Sequence, residues 1–391
     1  MLAGAGKARI DLDGVLPFDS FDLELDPLHM RTVVFQNPDG SRACLLSVDA
    51  TSMRDDAPLR SAAARTVGCT EDQVWVSVTH TFSVPHVRTP EHLADDAERA
   101  RNVLLSARLV AATEDACAKA MLALQPVRLM TACGACDINA NRDVLTDKGW
   151  WLGIDPDGFS DHSVHALRIV SACDGTSVVT FFSADVQSSV TQGLRDGQGN
   201  VLVSADLAGY ASSLLEERLG GVAVFLTGAA GDQAPREKGL DALPVLGNLL
   251  AQSVADALDN AELLEVDKLE LARMVVTCPA QRRADFHSLA PTLSYEFIAE
   301  GTADTLVSIA RLGSLTVVGL QPEVDSAFGA RLRRKGQGCL ELLTMVNGAQ
   351  KYLPSAEAYD RITYEAMNSS FARGADEVLA DAILKTLKEQ S

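Results

Sequence analysis

The stretch Val74–His86, which reads VWVSVTHTFSVPH, decides the fold. Its first five residues are β-branched or aromatic apart from one serine, which is typical of a buried strand. The strand ends in a turn where hydroxyl side chains surround His80, and His86 follows six residues later. Functional residues of α/β proteins lie where strands end and loops begin. A lone histidine at a strand end is often structural, but this polar setting also indicates a functional role for His80.

Short apolar runs alternate with longer helical patterns along the whole chain. The strand-like runs are Thr32–Gln36, Ala43–Val48, Val74–Val78, Val127–Thr131, His165–Val170, Ser177–Phe182, Val222–Leu226, Leu315–Val318 and Leu342–Val346. The helical patterns cover Ala57–Val67, His92–Leu124, Ser204–Leu219, Ala242–Asn260, Ser326–Lys335 and Ala375–Lys388. Strands interleaved with helices of this length predict an α/β fold with helices packed outside the sheet.

Composition and charge exclude several classes of partner. The chain has 391 residues, 47% of them hydrophobic, and a formal net charge of −19. These values exclude wholesale disorder, and so acidic a surface disfavours nucleic acid and anionic membranes. No apolar stretch is long enough to span a membrane, and Lys7, Arg9 and Asp11 interrupt any signal-peptide core. Eight cysteines, mostly single, then predict free thiols and a cytoplasmic location.

Three further strand ends carry small or polar residues. The run Thr227–Pro235 is rich in small residues, which let backbone N–H groups approach an anion, although such a turn alone is weak evidence. Glu323 follows a proline-stiffened turn, where a carboxylate is a metal ligand, a general base or a solvated surface residue. After Asn347 the chain carries Tyr352 and then Tyr364, each either a packing residue or a polar group of a site.

Two irregular stretches, 142–161 and 281–303, are long enough to be functional loops. The first contains Trp150, Trp151 and Phe159 and is therefore rich in aromatic side chains. We interpret it either as a flap that contacts substrate or as a plain surface loop.

Taken together, these segments resemble the neutral (non-lysosomal) ceramidase family. That family combines a THTHSGP-like turn, an NxNR segment, a SADxxGY helix start, a GAAGDxxP turn, a PGE-type turn and an NGxxxYxP segment followed by YE. The corresponding segments occur here in the same order, at Thr79–Pro85, Asn139–Arg142, Ser204–Tyr210, Gly228–Pro235, Gln321–Glu323, Asn347–Pro354 and Tyr364–Glu365. The match spans nearly the whole chain. The resemblance implies an α/β fold of mixed β-sheets layered with helices outside.

The resemblance also implies a zinc centre. By position it assigns His80, Glu323 and Tyr352 as metal ligands. Arg142 and Tyr364 correspond to residues that contact the scissile amide or its neighbours. The chemistry it implies is attack by zinc-activated water on an amide carbonyl.

Departures from the family pattern bear on both the site and the substrate. The second histidine of the THTH turn is Phe82 here, and Asp185 aligns with the family's other zinc-binding histidine. A carboxylate at that position favours Mn²⁺ or another oxygen-preferring metal, or leaves the site without metal. The turn Gln233–Pro235 also lacks the family's serine. Since the chain ends soon after its last helix, we expect one ceramidase-like catalytic domain over residues 1–391 and no C-terminal β-sandwich domain.

We therefore predict a metal-dependent hydrolase that cleaves an amide or ester bond in a soluble small molecule rather than in ceramide. The predicted ligands of the zinc, or of another divalent metal, are His80, Asp185, Glu323 and Tyr352. We expect no nucleic-acid partner and no stable membrane association, and a homo-oligomer is compatible with the sequence.

In this prediction Arg142 orients the substrate and Tyr364 donates a hydrogen bond to the developing oxyanion. The Gly231–Asp232 turn adds backbone donors, while Phe82, Gly231 and Trp151 contact the substrate. Two alternatives stay open, because a fold does not fix a reaction. In the first, the same pocket performs elimination, isomerisation or carbohydrate modification. In the second, the chain is a binding protein that has lost catalysis.

Overall fold

The structure, a computed structural model, describes residues 1–336 and 339–389. Its strands are β1 (Leu2–Arg9), β2 (Leu23–Glu24), β3 (His29–Gln36), β4 (Arg42–Val48), β5 (Val74–Val78), β6 (Gln125–Ala135), β7 (Asn139–Thr146), β8 (Gly149–Asp155), β9 (Ser163–Ser171), β10 (Ser177–Ala184), β11 (Leu202–Val203), β12 (Val222–Thr227), β13 (Gln233–Pro235), β14 (Glu262–Leu264), β15 (Leu269–Gln281), β16 (Ala299–Leu312), β17 (Leu315–Leu320) and β18 (Cys339–Leu343).

The α-helices vary in length from one turn to more than seven turns. They are α1 (Ala57–Val67), α2 (Asp96–Leu122), α3 (Asp206–Leu219), α4 (Ala242–Leu258), α5 (Ser326–Lys335), α6 (Ala356–Arg361), α7 (Tyr364–Met367) and α8 (Ala375–Glu389). Among the described residues, no helix combines the length and the apolar character that crossing a membrane requires.

Two mixed sheets form the framework. The larger has nine strands in the order β12-β10-β9-β6-β1-β3-β4-β5, with β14 added beside β6. Its pairs are antiparallel except for β10–β12 and β4–β5, which are parallel. The smaller sheet has the order β15-β16-β17-β18, of which only the β17–β18 pair is parallel. Short sheets β13-β7-β8 and β11-β2 complete the described part of the chain.

The two mixed sheets stack face to face, with helices on both outer sides. Trp75 and Phe181 of the larger sheet belong to the same buried cluster as Leu312 and Leu315 of the smaller one. Helices α1 and α2 cover one half of the larger sheet's outer face, and α3 and α4 cover the other half. Helices α5 and α8 cover the smaller sheet. This layering confirms the predicted fold class, while the interpretation of residues 1–391 as one domain stays a prediction.

Helix α2 lies directly on strand β1 because two glycines remove the side chains between them. A Cβ atom on Gly4 would lie 2.2 Å from the carbonyl oxygen of Ala120. One on Gly6 would lie 2.1 Å from the carbonyl oxygen of Ala116. Only glycine allows the backbones to approach so closely.

The predicted loop at 142–161 is corrected by the structure. Most of it belongs to a hairpin, in which β7 and β8 pair antiparallel. The second predicted loop, 281–303, is irregular in its middle but ends in β16, which pairs with β15 along nearly its whole length. Both hairpins are half exposed and carry many polar side chains, so their apolar pattern is too weak to indicate strands.

The segment after β18 joins the two sheets at one edge. Thr344 N donates to the carbonyl of Thr227 at the end of β12, and Val346 N donates to that of Leu320 at the end of β17. The side chain of Asn347 accepts from the backbone of Val76 in β5 at 2.9 Å. The carboxyl ends of β5, β12 and β17 are thereby held together, and the candidate site lies at this edge.

Candidate active site

His80 is the first residue of the site and follows β5 directly. It is 3% exposed and has a φ of 54°, a backbone conformation that residues other than glycine adopt at a cost, often at functional sites. Its Nδ1 lies 2.6 Å from the carbonyl oxygen of Thr51, which can only accept, so Nδ1 carries the donated proton. Its Nε2 lies 3.1 Å from Oε2 of Glu323. A proton shared between this nitrogen and oxygen, or a cation bound by both, makes such a contact favourable.

Glu323 follows β17, and its backbone is paired with the segment around Tyr352. Its N–H donates to the carbonyl of Lys351 at 2.7 Å, and its own carbonyl accepts from Leu353 at 2.8 Å. Burial acts to raise the pKa of Glu323. The charge and the hydrogen bond of His80 act in the opposite direction, with a smaller effect of Arg142, and hold this pKa below its ordinary value. The side chain is therefore a carboxylate despite being buried.

Arg142, in β7, is the buried cation of the site. Its Nε donates to Oε1 of Glu365 at 2.8 Å, and Nη1 donates to Oε1 of Gln187 at 2.9 Å. The Nε2 of Gln187 lies 3.3 Å from Oε2 of Glu323, so Gln187 bridges the two halves of the site. Burial acts to lower the pKa of Arg142, but Tyr352 and the neighbouring carboxylates raise it well above its usual value.

Two tyrosines lie beside the guanidinium of Arg142. Its Cζ is 5.4 Å from the ring centre of Tyr352 and 6.0 Å from that of Tyr364. Burial and then the charge of Glu323 raise the pKa of Tyr352 well above its ordinary value. Burial likewise raises the pKa of Tyr364, whose hydroxyl accepts a hydrogen bond from Asn368 at 3.0 Å. Both phenols are therefore neutral, and the proton of Tyr364 stays free to be donated.

A cavity of 330 Å³ lies beside these groups, and its lining includes neither His80 nor Arg142 nor Tyr364. Its lining includes Gly231, Asp232, Glu323, Tyr352 and Glu365. Of the two neighbouring tryptophans, Trp150 lines the cavity, whereas the predicted substrate contact Trp151 packs edge-on against Tyr364 with ring centres 5.6 Å apart. Phe82, also predicted to contact substrate, packs against the ring of His80 at 4.7 Å and is not part of the lining.

The structure does not bring Asp185 to the other predicted ligands. Its Oδ1 accepts from the backbone of Ala229 at 2.8 Å, and its Oδ2 accepts from Arg333 at 2.8 Å and Ser326 at 3.0 Å. Burial raises the pKa of Asp185 to about 6 even though Arg333 opposes the shift. The side chain of Asp185 is therefore occupied by its ion pair with Arg333. Gln187, two residues further on, is the one that contacts Glu323.

The small-residue turn at 227–235 does not offer the free backbone donors that were predicted around Gly231. The N–H of Gly228 donates to the carbonyl of Ala184, and that of Gly231 donates to the carbonyl of Val324 at 2.9 Å. A Cβ atom on Gly231 would lie 2.8 Å from the same oxygen, so glycine here permits packing rather than anion binding. Asp232 accepts from Ser326 N and Asn141 Nδ2, and burial, with the charge of Asp325, raises its pKa.

Three donors of the kind that zinc accepts are present: Nε2 of His80, the carboxylate of Glu323 and the phenol of Tyr352. A catalytic zinc takes three protein ligands and keeps a further position open. The hydrogen bond from Nδ1 of His80 to a backbone carbonyl is typical of metal-binding histidines. By type, these donors suit a divalent metal. Within residues 1–336 and 339–389, no three His, Cys, Asp or Glu side chains are grouped to hold one, so the set depends on Tyr352.

Sequence reasoning did not assign a role to Gln187, Glu365 or Asp143. Glu365 stands next to Tyr364 in the YE pair, and Asp143 stands next to Arg142, so their positions in the motifs were an available signal. Gln187 had no such signal, because an amide is a poor metal ligand and Asp185 was the more plausible residue by type.

Two solved structures resemble this chain over nearly its full length. A ceramidase solved in complex with C2 is 18% identical, with a TM-score of 0.76, and the match covers 100% of this chain and 75% of that one. The neutral ceramidase from Pseudomonas aeruginosa is also 18% identical, with a TM-score of 0.74 and coverage of 99% and 73%. No family model and no curated protein matches the sequence. The resemblance predicted from the motifs is confirmed for the fold: the chain has the α/β fold of the neutral ceramidases.

Proposed function

We propose that this chain is a hydrolase that cleaves an amide or ester bond in a small molecule at the cavity lined by Glu323 and Tyr352, next to His80 and Arg142. The observation that carries the proposal is the His80–Glu323 pair, whose facing nitrogen and oxygen lie 3.1 Å apart, with Glu323 in the lining of that cavity. The ceramidase fold supports an amide or a related acyl bond as the target. A cavity of 330 Å³ has the size of a small-molecule site.

We propose that His80, Glu323 and Tyr352 hold a divalent metal, zinc in the first instance. When bound, such an ion supplies Lewis acidity, which activates water near neutral pH and polarises a carbonyl group. Asp185 is not part of this set, because both of its oxygens are engaged elsewhere.

The remaining groups bind and orient the substrate. Arg142 is fixed by Glu365 and Gln187, so its guanidinium is a positioned positive charge beside the reacting bond. Neutral Tyr364 donates its free proton to the oxygen on which negative charge develops. Phe82 excludes water from one side of the His80 ring.

Hydrolysis of short N-acyl amines and short-chain esters tests the proposal, with metal content measured on the same protein. We expect about one equivalent of metal, loss of cleavage with a chelator and its return with zinc. His80→Ala should lose both metal and activity, whereas His287→Ala, at an exposed histidine, should keep both. A protein that takes up no metal when exposed to zinc, and cleaves none of these bonds, would refute the proposal.

A further inference from the structure

A second cavity lies between the two mixed sheets, away from the candidate site. Its volume is 490 Å³, and we call it the inter-sheet cavity. The larger sheet supplies one wall, which includes Trp75 and Phe181, and the smaller sheet supplies the other, which includes Ala310 and Leu312. Its lining shares no residue with that of the cavity beside Glu323. The two cavities are therefore separate.

The inter-sheet cavity is large for the interior of a folded domain. Protein cores are packed as densely as organic crystals, and their voids seldom exceed the size of a water molecule. An empty apolar void lowers stability in proportion to its volume. A volume of 490 Å³ lies instead in the range of sites that bind small molecules. The size of the inter-sheet cavity therefore indicates an occupant.

The inter-sheet cavity opens to solvent at one margin and is apolar further in. The exposed members of its lining include Cys133 on β6 and Leu263 on β14, two strands that pair with each other. Deeper members such as Leu264, Leu312 and Leu343 are buried. An apolar chain that enters at this margin leaves water along its length, and each buried methylene group makes its binding more favourable.

Polar side chains of the lining meet near this opening and balance one another's charge. Cys133 and His165 are cross-strand neighbours on β6 and β9. Nδ1 of His165 lies 3.1 Å from Oε2 of Glu341. The other oxygen of that carboxylate accepts from Ser183 at 3.2 Å and lies 3.6 Å from Nη1 of Arg333. Burial acts to lower the pKa of His165, but Glu341, with a smaller effect of Cys133, raises it to about 9. The imidazolium and the carboxylate therefore neutralise each other.

This balance of charge favours an uncharged ligand. An anion would have to displace Glu341 from His165, and a cation would have to displace His165 from Glu341. Glu262, the other carboxylate of the lining, is exposed to solvent, where an ion pair contributes little. A hydroxyl group loses less than an ion on leaving water, and it can both donate and accept a hydrogen bond.

We propose that the inter-sheet cavity is a second binding site, which takes an uncharged alcohol with a single apolar chain. The apolar chain lies between the two sheets, and the hydroxyl group stays at the polar end beside Cys133 and His165. This inference goes beyond the proposed function, because it concerns a different cavity and requires no reaction.

Three probes of equal chain length and different end groups test the ligand class. They are n-octanol, which is uncharged, octanoate, which is anionic, and octylammonium, which is cationic. Calorimetry on the full chain should show n-octanol binding about 10-fold or more tightly than either ion. From n-butanol through n-hexanol to n-octanol, each added methylene group should tighten binding by about threefold.

Alkylation of Cys133 reports where the alcohol binds. Occupation of the cavity by n-octanol should slow the reaction of Cys133 with iodoacetamide several-fold, as measured by peptide mass spectrometry. Cys173 is the internal control, since it is exposed but lies outside the lining, and its rate should not change. Protection of Cys133 that rises with protein concentration, in the absence of alcohol, would show that a second copy of the chain covers the opening. That result would overturn the inference.

Filling the cavity provides the matched pair of variants. Ala310→Phe places a ring in the inter-sheet cavity and should abolish n-octanol binding, whereas Ala111→Phe adds the same ring at an exposed position of α2 and should keep it. Thermal unfolding curves show whether each variant is folded, and Val317→Phe, at another position of the lining, serves if Ala310→Phe is not. The inference fails if n-octanol does not bind the unmodified chain, if either ion binds as tightly, or if a folded cavity variant binds n-octanol undiminished.

Discussion

Asp185 and Glu323 are buried carboxyl groups that follow strands on the same side of the molecule, and their surroundings differ. Asp185 is closed in by Arg333, Ser326 and the backbone of Ala229. Glu323 faces His80 at the base of an open cavity. Burial raises the pKa of Asp185, while in Glu323 the effect of burial is outweighed by His80. A buried carboxyl group whose partners enclose it is structural, whereas one that opens onto a cavity is available for chemistry.

The sharpest test of this difference is activity. Glu323→Gln should lower the rate of hydrolysis by about 10²- to 10⁴-fold, because the carboxylate that faces His80 is lost. Asp185→Asn should change the rate by no more than a few-fold. Turnover of a short N-acyl amine is measured for both variants, with thermal unfolding curves to show that each is folded. A larger loss of activity in folded Asp185→Asn than in Glu323→Gln would reverse the assignment.

Stability should show the opposite ranking. Arg333→Met leaves Asp185 buried without its cation and should lower the free energy of unfolding by about 3–5 kcal/mol. The double variant with Asp185→Asn should recover part of that loss, since the unpaired charge is then gone. Denaturant unfolding of the three variants measures both effects. If the double variant loses as much free energy of unfolding as the two single variants together, the two residues do not interact.

The raised pKa of Asp185 predicts a pH dependence of stability. Its pKa is about 6 in the folded chain, against an ordinary value of 3.8. The folded chain therefore gains stability from protonated Asp185, and this gain is complete below pH 3.8. It is lost as pH rises from about 4 to 6, where the unfolded chain releases this proton first. Relative to Asp185→Asn, the unmodified chain should lose about 3 kcal/mol of unfolding free energy across that interval. A difference between the two proteins that stays constant with pH would contradict the shift.

The smallest expected effect concerns metal affinity. Gln187→His places an imidazole next to Glu323, where the amide now lies, and should tighten zinc binding by about tenfold. Asp185→His is the matched control. The family resemblance assigns position 185 as a metal ligand, whereas the structure places its side chain away from Glu323. This variant should leave zinc affinity unchanged and lower stability by removing the partner of Arg333. Calorimetric titration with zinc distinguishes the two, and tighter binding by Asp185→His alone would restore the original alignment.

The placement of Asp185 shows where sequence reasoning stops. The segment after β10 is irregular, so no periodicity states whether Asp185 or Gln187 faces the site. That choice is made by Arg333, which lies 148 residues further along the chain and binds Asp185 from α5. The two missed hairpins failed for a related reason. Their partly exposed strands are stabilised by cross-strand pairing, and the apolar pattern of each strand alone does not show it.

The sequence by itself determined the succession of strands and helices, the polar ends of β5 and β17, and the ordered motifs behind the ceramidase-like fold. These features are local, because each buried strand shows its burial in its own sequence, as an apolar composition and a regular spacing of apolar residues. Only the tertiary structure decided that His80 faces Glu323, that Gln187 bridges it to Arg142, and that Asp185 turns away. Such contacts depend on which side chains a fold places at hydrogen-bond distance, and the separation of residues along the chain does not encode that distance.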